Sequence, residues 1–470
     1  MTLIQSPASA LNRQAEQPAL VDKSDLRSSF ALAMSATYKS EVPLYGDLVK
    51  IVQEVNDVES RNLPLEERLD LERHGAIRLG TPYELRIVRR IFALIGLQPV
   101  GYYDLSVAGL PMHATAFRPI DSKALSKNPF RVFTTLLRPE LLKPHARELA
   151  LRLLIRRNIF SDELLKLIGV GEEQGGFFPH QAERFIAQAM LTFKWQSVAA
   201  ACLEDYEKLA AEHPILADIA CFNTSHINHL TPRTLNIDLA EAKMKERGLS
   251  IKSRIEGPPA RKNPILLRQT SFLALREEIK FTVIGSTELV RGSHKARFGE
   301  IEQRGAALTA KGRRLYDELL ERALQATGSS PEGGFEKVFK EVFDRFPDDW
   351  NILVQQNLVF FEARCISKAG QWRSNGSSVQ LSTLLNEGAV EAVPITYEDF
   401  LPFSAAGIFQ SNLEEPSQDS GPATEPFADS QGLEAALGCR IIDSNELYSA
   451  LQLQSLARCA KELGYNKILL

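Results

Sequence analysis

Cysteine, histidine and tryptophan are scarce in this 470-residue chain, and so is any surplus of charge. The five cysteines (Cys202, Cys221, Cys365, Cys439, Cys459) are dispersed with no Cys-x-x-Cys pair, which excludes zinc-ribbon spacing and argues against a disulfide framework. A scattered, odd-numbered set fits a reducing compartment, so a cytoplasmic location is expected. No run approaches the ~20 apolar residues of a membrane span. The opening residues, MTLIQSPASALNRQAEQPAL, lack the apolar core of a signal peptide. With 55 Lys and Arg against 59 Asp and Glu, the net charge of -4 offers no electrostatic case for nucleic acid or a membrane surface. The zincin, nucleophile-elbow, P-loop and dinucleotide-binding motifs are all missing, and the Gly-rich stretches EEQGGFF and PEGGFE read as turns between helices.

What is present is an ordinary globular composition on a chain long enough for two or three structural units. Residues 1–24 read as a polar arm. From Asp25 to about Ser60 the pattern is helical, with Phe30, Met34 and Tyr38 four apart and Leu44, Leu48 and Ile51 following Pro43. HGAIRLG (74–80) is strand-like. Thr81, Pro82 and Glu84 then make a capping box with Pro at the first helical position, and that helix runs to Gly96 as its C-cap. PVGYYDLS is a second strand, so His74 opens a strand–helix–strand unit. Residues 130–212 read as mostly helical, with a break at FFP before His180. The segment 222–305 repeats the first plan: FNTSHINHL is strand-like, TLNIDLAEAKMKERG contains a short helix, and IKSRIEG, PILLRQTSF and ARFGEIEQRG are candidate strands. No repeat of fixed period is visible. The catalytic domain is thus expected over 25–410, with core strands at about 70–120 and 222–305 and a helical insertion at about 130–212. A polar linker over 411–431 and a C-terminal helix in 432–470, packed on the core, complete the chain.

Three segments carry chemistry-bearing residues. In ERHGAIR, Arg78 follows His74 by four residues, so both point to one face of an extended strand. A buried Arg there needs an anion, which a substrate carboxylate would supply; the plain alternative is a surface pair with Asp70 or Glu72. In HINHLTPR, His226 and His229 would face opposite sides of a strand, and Pro232 disfavours a helix, so one of the two is expected to face a shared site. In ARFGEIEQRG, Glu300 and Glu302 share a strand face. Two histidines from separate strands with one of these glutamates complete a 2-His-1-carboxylate set, which occupies one face of an octahedral ion and leaves three positions open. His113 reads as a buried, hydrogen-bonded residue and His294 as a loop residue.

SEVPLYGDL, ERHGAIRLGT, LQPVGYYDLS, HINHLTPRTLNID, EGPPARKNPILLRQTSF, ARFGEIEQRGAALTAKGR and YEDFLPFSAAGIFQSNL together resemble the 2-oxoadipate dioxygenase/decarboxylase (hydroxyglutarate synthase) family over roughly residues 25–465. That family is a distant branch of the vicinal oxygen chelate superfamily. The resemblance implies an α+β fold whose curved mixed β-sheet wraps a metal, with large helical insertions. It implies one Fe(II) held by His74, His229 and Glu300, choosing among the alternatives that the pattern leaves open. It also implies that Arg78 binds the distal carboxylate of the substrate, that His74 and His229 border the same site, and that Phe403 of the LPFSAAG loop lines the pocket. The implied reaction converts 2-oxoadipate and O2 to 2-hydroxyglutarate and CO2, within lysine breakdown. Two rivals remain: a metal-dependent, non-redox isomerase or lyase of the glyoxalase type, and a non-enzymatic metabolite-binding protein.

Overall fold

The computed structural model describes residues 19–62, 68–283, 288–327, 335–366, 376, 378–401 and 427–470. Most of the expected N-terminal arm, most of the 411–431 linker and Phe403 lie outside the described residues. Helix α1 (Lys23–Glu41), capped by Asp22, and helix α2 (Pro43–Glu59) part at Val42, because Pro43 has no N–H to continue the first helix and suits the first turn of the next. Phe30, Met34 and Tyr38 of α1 and Tyr45, Leu48, Ile51, Val52 and Val55 of α2 are buried. Helix α3 (Pro82–Leu94) starts at Thr81 and Pro82 as the sequence predicts, with the Thr81 side chain accepting from the Glu84 N–H, but the expected capping box is half formed, because the Glu84 carboxylate accepts from the Gly80 N–H and from Arg157; Gly96 follows at φ 76°. Among the described residues no helix is long and apolar enough to cross a membrane.

The strands run β1 (Arg73–Leu79), β2 (Gln98–Asp104), β3 (Met112–Arg118), β4 (Arg131–Leu137), β5 (Val198–Cys202), β6 (His229–Pro232), β7 (Leu267–Ser271), β8 (Arg276–Thr282), β9 (Leu289–Lys295) and β10 (Phe298–Arg304). Seven of them form the curled central sheet, in the order β2-β3-β4-β1-β6-β10-β7, and β5-β8-β9 form a second, three-stranded sheet. The central sheet is built from two related halves. The first half, β1–α3–β2–β3–β4, pairs its last strand parallel to its first, with His74 opposite Arg131 and Ala76 opposite Phe133. The second half, from β6 through helix Ile237–Glu246 and β7 to β10, does the same, with His229 opposite Phe298. The two opening strands meet antiparallel at the middle of the sheet, Ala76 opposite His229. In this correspondence His74 matches His229, Arg78 matches Arg233, and Phe133 of β4 matches Glu300 of β10. The internal likeness that no fixed period revealed is therefore a shared His-x-x-x-Arg strand.

Alternation sorts the two faces. Ile77, Leu79, Val132, Leu136, Leu230 and Ile301 pack with α1, α2 and α3 in one core. Gly299 lets α2 approach: a Cβ there would lie 2.3 Å from the Phe272 ring and 2.9 Å from Leu48. His74, Ala76 and Arg78 take the opposite face, where Ala76, Phe133 and Leu137 join a second core with helices Pro144–Leu154 and Pro214–Ala220. A third core gathers the C-terminal part around helix Ser444–Leu463.

Several sequence expectations need correction. The 130–212 stretch, expected to be mostly helical, also holds two strands: it opens with β4 and contains β5. The run RVFTTLL is buried on both faces, so it lacks the alternation that marks a half-exposed strand. VAAAC carries helix-favouring alanines, but pairing with β8 overrides that preference. FNTSHINHL is a strand only from His229 onward. IKSRIEG makes only isolated bridges, Ile251 to Phe272 and Glu256 to Gln269, before Gly257 at φ 105° ends it. The polar strands β8 and β9 have no counterpart among the expected elements, and the segment assigned to the linker is already helical from Ser430.

On the face bearing His74, toward the start of β1, lies a buried layer of ion pairs. Glu72 contacts Arg68, Arg131 and Arg233 at 2.9–3.2 Å. Glu398 accepts from Arg68 (2.9 Å) and from Arg131. Burial raises the pKa of both carboxyls, but the surrounding arginines outweigh it and hold Glu72 well below the usual range and Glu398 at about 2. A carboxyl depressed in the folded state contributes stability that is complete above its unfolded pKa of ~4.3 and is lost as the pH falls toward its folded pKa. We predict a steep loss of folded protein between about pH 4.5 and pH 2, followed by circular dichroism. Glu398→Gln should flatten that dependence and lower neutral-pH stability by about 3–5 kcal/mol, because it leaves buried arginines short of charge.

Candidate metal centre

Three side chains from three adjacent strands meet on one face of the central sheet: His74 from β1, His229 from β6 and Glu300 from β10. One donor atom from each lies within 4.8 Å of the others. His74 Nε2 is 3.1 Å and His229 Nε2 3.8 Å from Glu300 Oε2, and the two imidazole rings stand perpendicular with centroids 5.6 Å apart. Neighbouring ligands of an octahedral first-row metal lie about 3 Å apart, so the set needs little adjustment to share an ion. All three residues are buried, and Glu300 Oε1 has no hydrogen-bond partner. A buried carboxylate oxygen without a donor is costly unless a cation serves it, so the donor set fits a divalent metal.

Electrostatics favour the same use. Burial would neutralise Glu300, but His74, His229 and Lys252 outweigh it and hold the carboxyl below its usual range, hence ionised at neutral pH. Burial pushes His229 down to about 3, leaving a neutral imidazole with a lone pair to give. Burial also opposes charge on His74, yet Glu302 and Glu300 overcome it and raise that pKa. A divalent ion arriving there would displace the proton from Nε2.

A second layer holds these groups in place. Glu302 Oε2 lies 3.1 Å from His74 Nδ1, an ion-pair contact that is not a straight hydrogen bond, and Arg304 grips Glu302 with two bonds of 2.8 Å. Thr231 Oγ1 donates to Glu300 Oε2 at 3.0 Å. The Tyr38 hydroxyl reaches the carbonyls of Asn228 (2.9 Å) and Phe298 (2.7 Å), tying α1 to the starts of two of the three ligand-bearing strands, β6 and β10. Phe400 sets its ring perpendicular to His74 at 4.8 Å and packs on Phe133. Its segment is anchored by Arg118, whose guanidinium binds Asp399 at 2.6 and 3.1 Å, and by Tyr448 of the C-terminal helix.

The remaining candidates are distributed as follows. Arg78 is buried on the same face as His74, but its partner is Asp218 at 2.5 Å, not Asp70 or Glu72. His226 precedes β6 and lies with Asp218 and His294 in a separate cluster. His294 belongs to β9 and is buried, contrary to its expected loop position; the alternation of LVRGSHK against Ile279 and Phe281 of β8 was the missed signal. His113 is buried in β3 against Tyr102, away from the three ligand candidates. Glu302 points to the same face as Glu300, as the alternation requires, but it lies behind His74. Sequence reasoning did not single out Tyr38, Asp218, Thr231 or Phe400. Their roles come from contacts between residues 69 to 326 positions apart, which spacing does not register.

The family model for 2-oxoadipate dioxygenase/decarboxylase matches residues 30–412. A protein of that name from Pseudomonas putida is 45% identical over 464 residues, covering 95% of this chain and 99% of its own length. Its counterpart from Escherichia coli is 46% identical over 450 residues, 93% and 98% of the two chains. The crystal structure of hydroxyglutarate synthase from Pseudomonas putida in complex with 2-oxoadipate superposes with a TM-score of 0.84 at 43% identity, covering 94% of this chain and 99% of that one.

The contact between Glu302 and His74 yields a test that needs no substrate. Partners behind a metal-bound imidazole typically contribute 10–100-fold to affinity. Glu302→Gln should therefore weaken divalent-metal binding by about that factor, as measured by titration with Mn(II) or anaerobic Fe(II), while circular dichroism verifies that the variant is folded.

Proposed function

Because the chain belongs to the 2-oxoadipate dioxygenase/decarboxylase family, we propose that His74, His229 and Glu300 hold one Fe(II) and that Arg78 binds the far carboxylate of the substrate. The enzyme oxidatively decarboxylates 2-oxoadipate with O2, giving 2-hydroxyglutarate and CO2, an equation that balances with no further reductant. The observation that carries the metal assignment is the convergence of two neutralisable imidazoles and one ionised carboxylate on a common buried point. Fe(II) in a 2-His-1-carboxylate set supplies redox chemistry with O2, acts as a Lewis acid toward a keto acid and keeps coordination positions open.

The protein's own groups do the rest. Glu302 and Thr231 hold His74 and Glu300 in place, so the donor set is formed before substrate arrives. Phe400 and Phe133 make one wall apolar and keep water from that side. His74 and Arg78 are same-face positions on β1, about 13 Å apart between Cα atoms at ~3.3 Å per residue. Ala76 is the same-face residue between them, and its methyl is the smallest side chain that the methylene chain of a dicarboxylic acid lying along the strand would have to pass. A guanidinium can meet the distal carboxylate with two charge-assisted hydrogen bonds, fixing which end of the diacid faces the metal.

Fe(II)-loaded protein mixed with 2-oxoadipate should consume O2 and release CO2 in equal amounts. An oxygen electrode with CO2 detection reads this directly, and absence of both with metal bound would reject the assignment. Arg78→Lys retains charge but loses the fork, and kcat/KM should fall about 100-fold. Ala76→Val should raise KM for 2-oxoadipate more than for 2-oxoglutarate in a steady-state comparison, because added methyls narrow the lane that the longer acid occupies.

A further inference from the structure

Asp218 sits in the short helix Pro214–Ala220, and its carboxylate is buried among a guanidinium, an amide and two imidazoles. Oδ2 accepts from Arg78 Nη1 at 2.5 Å and from Asn228 Nδ2 at 3.2 Å. Oδ1 lies 2.9 Å from His294 Nε2 and 3.0 Å from His226 Nε2. The far nitrogen of His294 faces the Tyr206 hydroxyl at 2.9 Å. Trp195 stacks on His294 and meets His226 edge-on, and Phe222 packs on both. Other charged groups nearby are paired among themselves: Arg297 with Glu41 and Glu277, and Arg157 with Glu84.

Asp218, His226 and His294 have the residue types and spacing of a second metal site. Arg78 argues against that use, because a divalent ion on Asp218 would face a guanidinium across the same carboxylate, and like charges so close in a buried place repel strongly. The charge balance points elsewhere. Arg78 and Asp218 already cancel, so a substrate carboxylate brought to Arg78 adds a negative charge to a pair that is already neutral. An uncompensated buried charge is what proteins avoid, usually by taking up or losing a proton. His213, also near Arg78, uses its Nδ1 to accept the Ile215 N–H, which leaves the His226 imidazole against Asp218 as the group placed to gain one. His226 has the capacity: it is fully buried, both ring nitrogens lack a hydrogen-bond partner, and burial keeps it neutral beforehand by lowering its pKa.

We propose that Asp218 and His226, with His294 holding the Asp218 carboxylate, form a counter-ion site that positions Arg78 and takes up one solvent proton at His226 when the distal carboxylate of the substrate binds. This rests on the assignment of Arg78 to that carboxylate. The sign follows from linkage. A second anion beside the cluster raises the imidazole pKa, so binding of the diacid strengthens as the pH falls across the interval between the free and bound values. An acid without the distal carboxylate shows no such gain.

The test compares 2-oxoadipate with 2-oxohexanoate, which keeps the keto-acid end and lacks the far carboxylate. Each is titrated anaerobically into the Fe(II)-loaded protein at pH 7.5 in two buffers of different ionisation enthalpy, and calorimetry counts the protons. The expected result is that 2-oxoadipate takes up about one proton more per site than 2-oxohexanoate. In Asp218→Asn, where Arg78 keeps an uncancelled charge, that difference should vanish. Metal analysis should give one ion per chain. Equal uptake for the two acids, an unchanged difference in Asp218→Asn, or two bound ions per chain would each overturn the proposal. Should Asp218→Asn not fold, the comparison of the two acids on the unmodified enzyme decides alone. Failure of both acids to bind would instead remove the reading of Arg78 on which the proposal stands, and the proposal with it.

Discussion

The antiparallel pairing of β1 with β6 is the constraint on which the site depends. It sets Ala76 opposite His229 at the centre of the sheet and so brings two imidazoles, 155 positions apart in the chain, to one face. The parallel pairing of β10 with β6 then delivers Glu300 beside them. Because side chains alternate along a strand, a slip of one residue in either ladder would turn a ligand candidate into the opposite core. That register is secured from outside the sheet as well as within it. The Tyr38 hydroxyl bridges the starts of β6 and β10, and Gly299 lets Leu48 and Phe272 pack directly on β10.

Charge is arranged in layers around that meeting point. The candidate ligands come first, then Glu302 with Arg304 behind His74, then Glu72 and Glu398 among their arginines. Ion pairs this deep contribute little net stability compared with an apolar core, since desolvation offsets much of the attraction. Their value is directional. Each carboxylate has a fixed set of donors, so the side chains that face the site have few alternative positions. The C-terminal segment takes part: Glu398, Asp399 and Phe400 join the layers through Arg131, Arg118 and His74, with Tyr448 holding the segment down.

Much of this was legible in the sequence where local rules decide. The capped helix from Thr81 to Gly96, the strand carrying His74, the break at Pro43 and the C-terminal helix all follow from turn chemistry and periodicity. The order of strands follows from no local rule, and strands without alternation, such as RVFTTLL, cannot be told from helix by period. At the site, pattern narrowed the field to His74, one of His226 and His229, and one of Glu300 and Glu302; the family resemblance made the choice. The structure gives a physical reason for the discarded pair: His226 serves Asp218 and Glu302 backs His74, so each neighbour has separate work. Arg78 was read as needing an anion, and the anion that meets it comes from a helix absent from any motif.

The two halves of the sheet differ at one telling place. Where β10 carries Glu300, the matching position on β4 carries Phe133, a phenyl ring packed against Phe400. A carboxylate at that position would, by the pseudo-twofold axis between β1 and β6, have added a fourth protein ligand and left two positions of an octahedral ion instead of three. Asymmetry thus becomes coordinative unsaturation: the half that carries a ring in place of an acid gives the proposed iron its third vacancy, room for a gas molecule beside a chelating diacid.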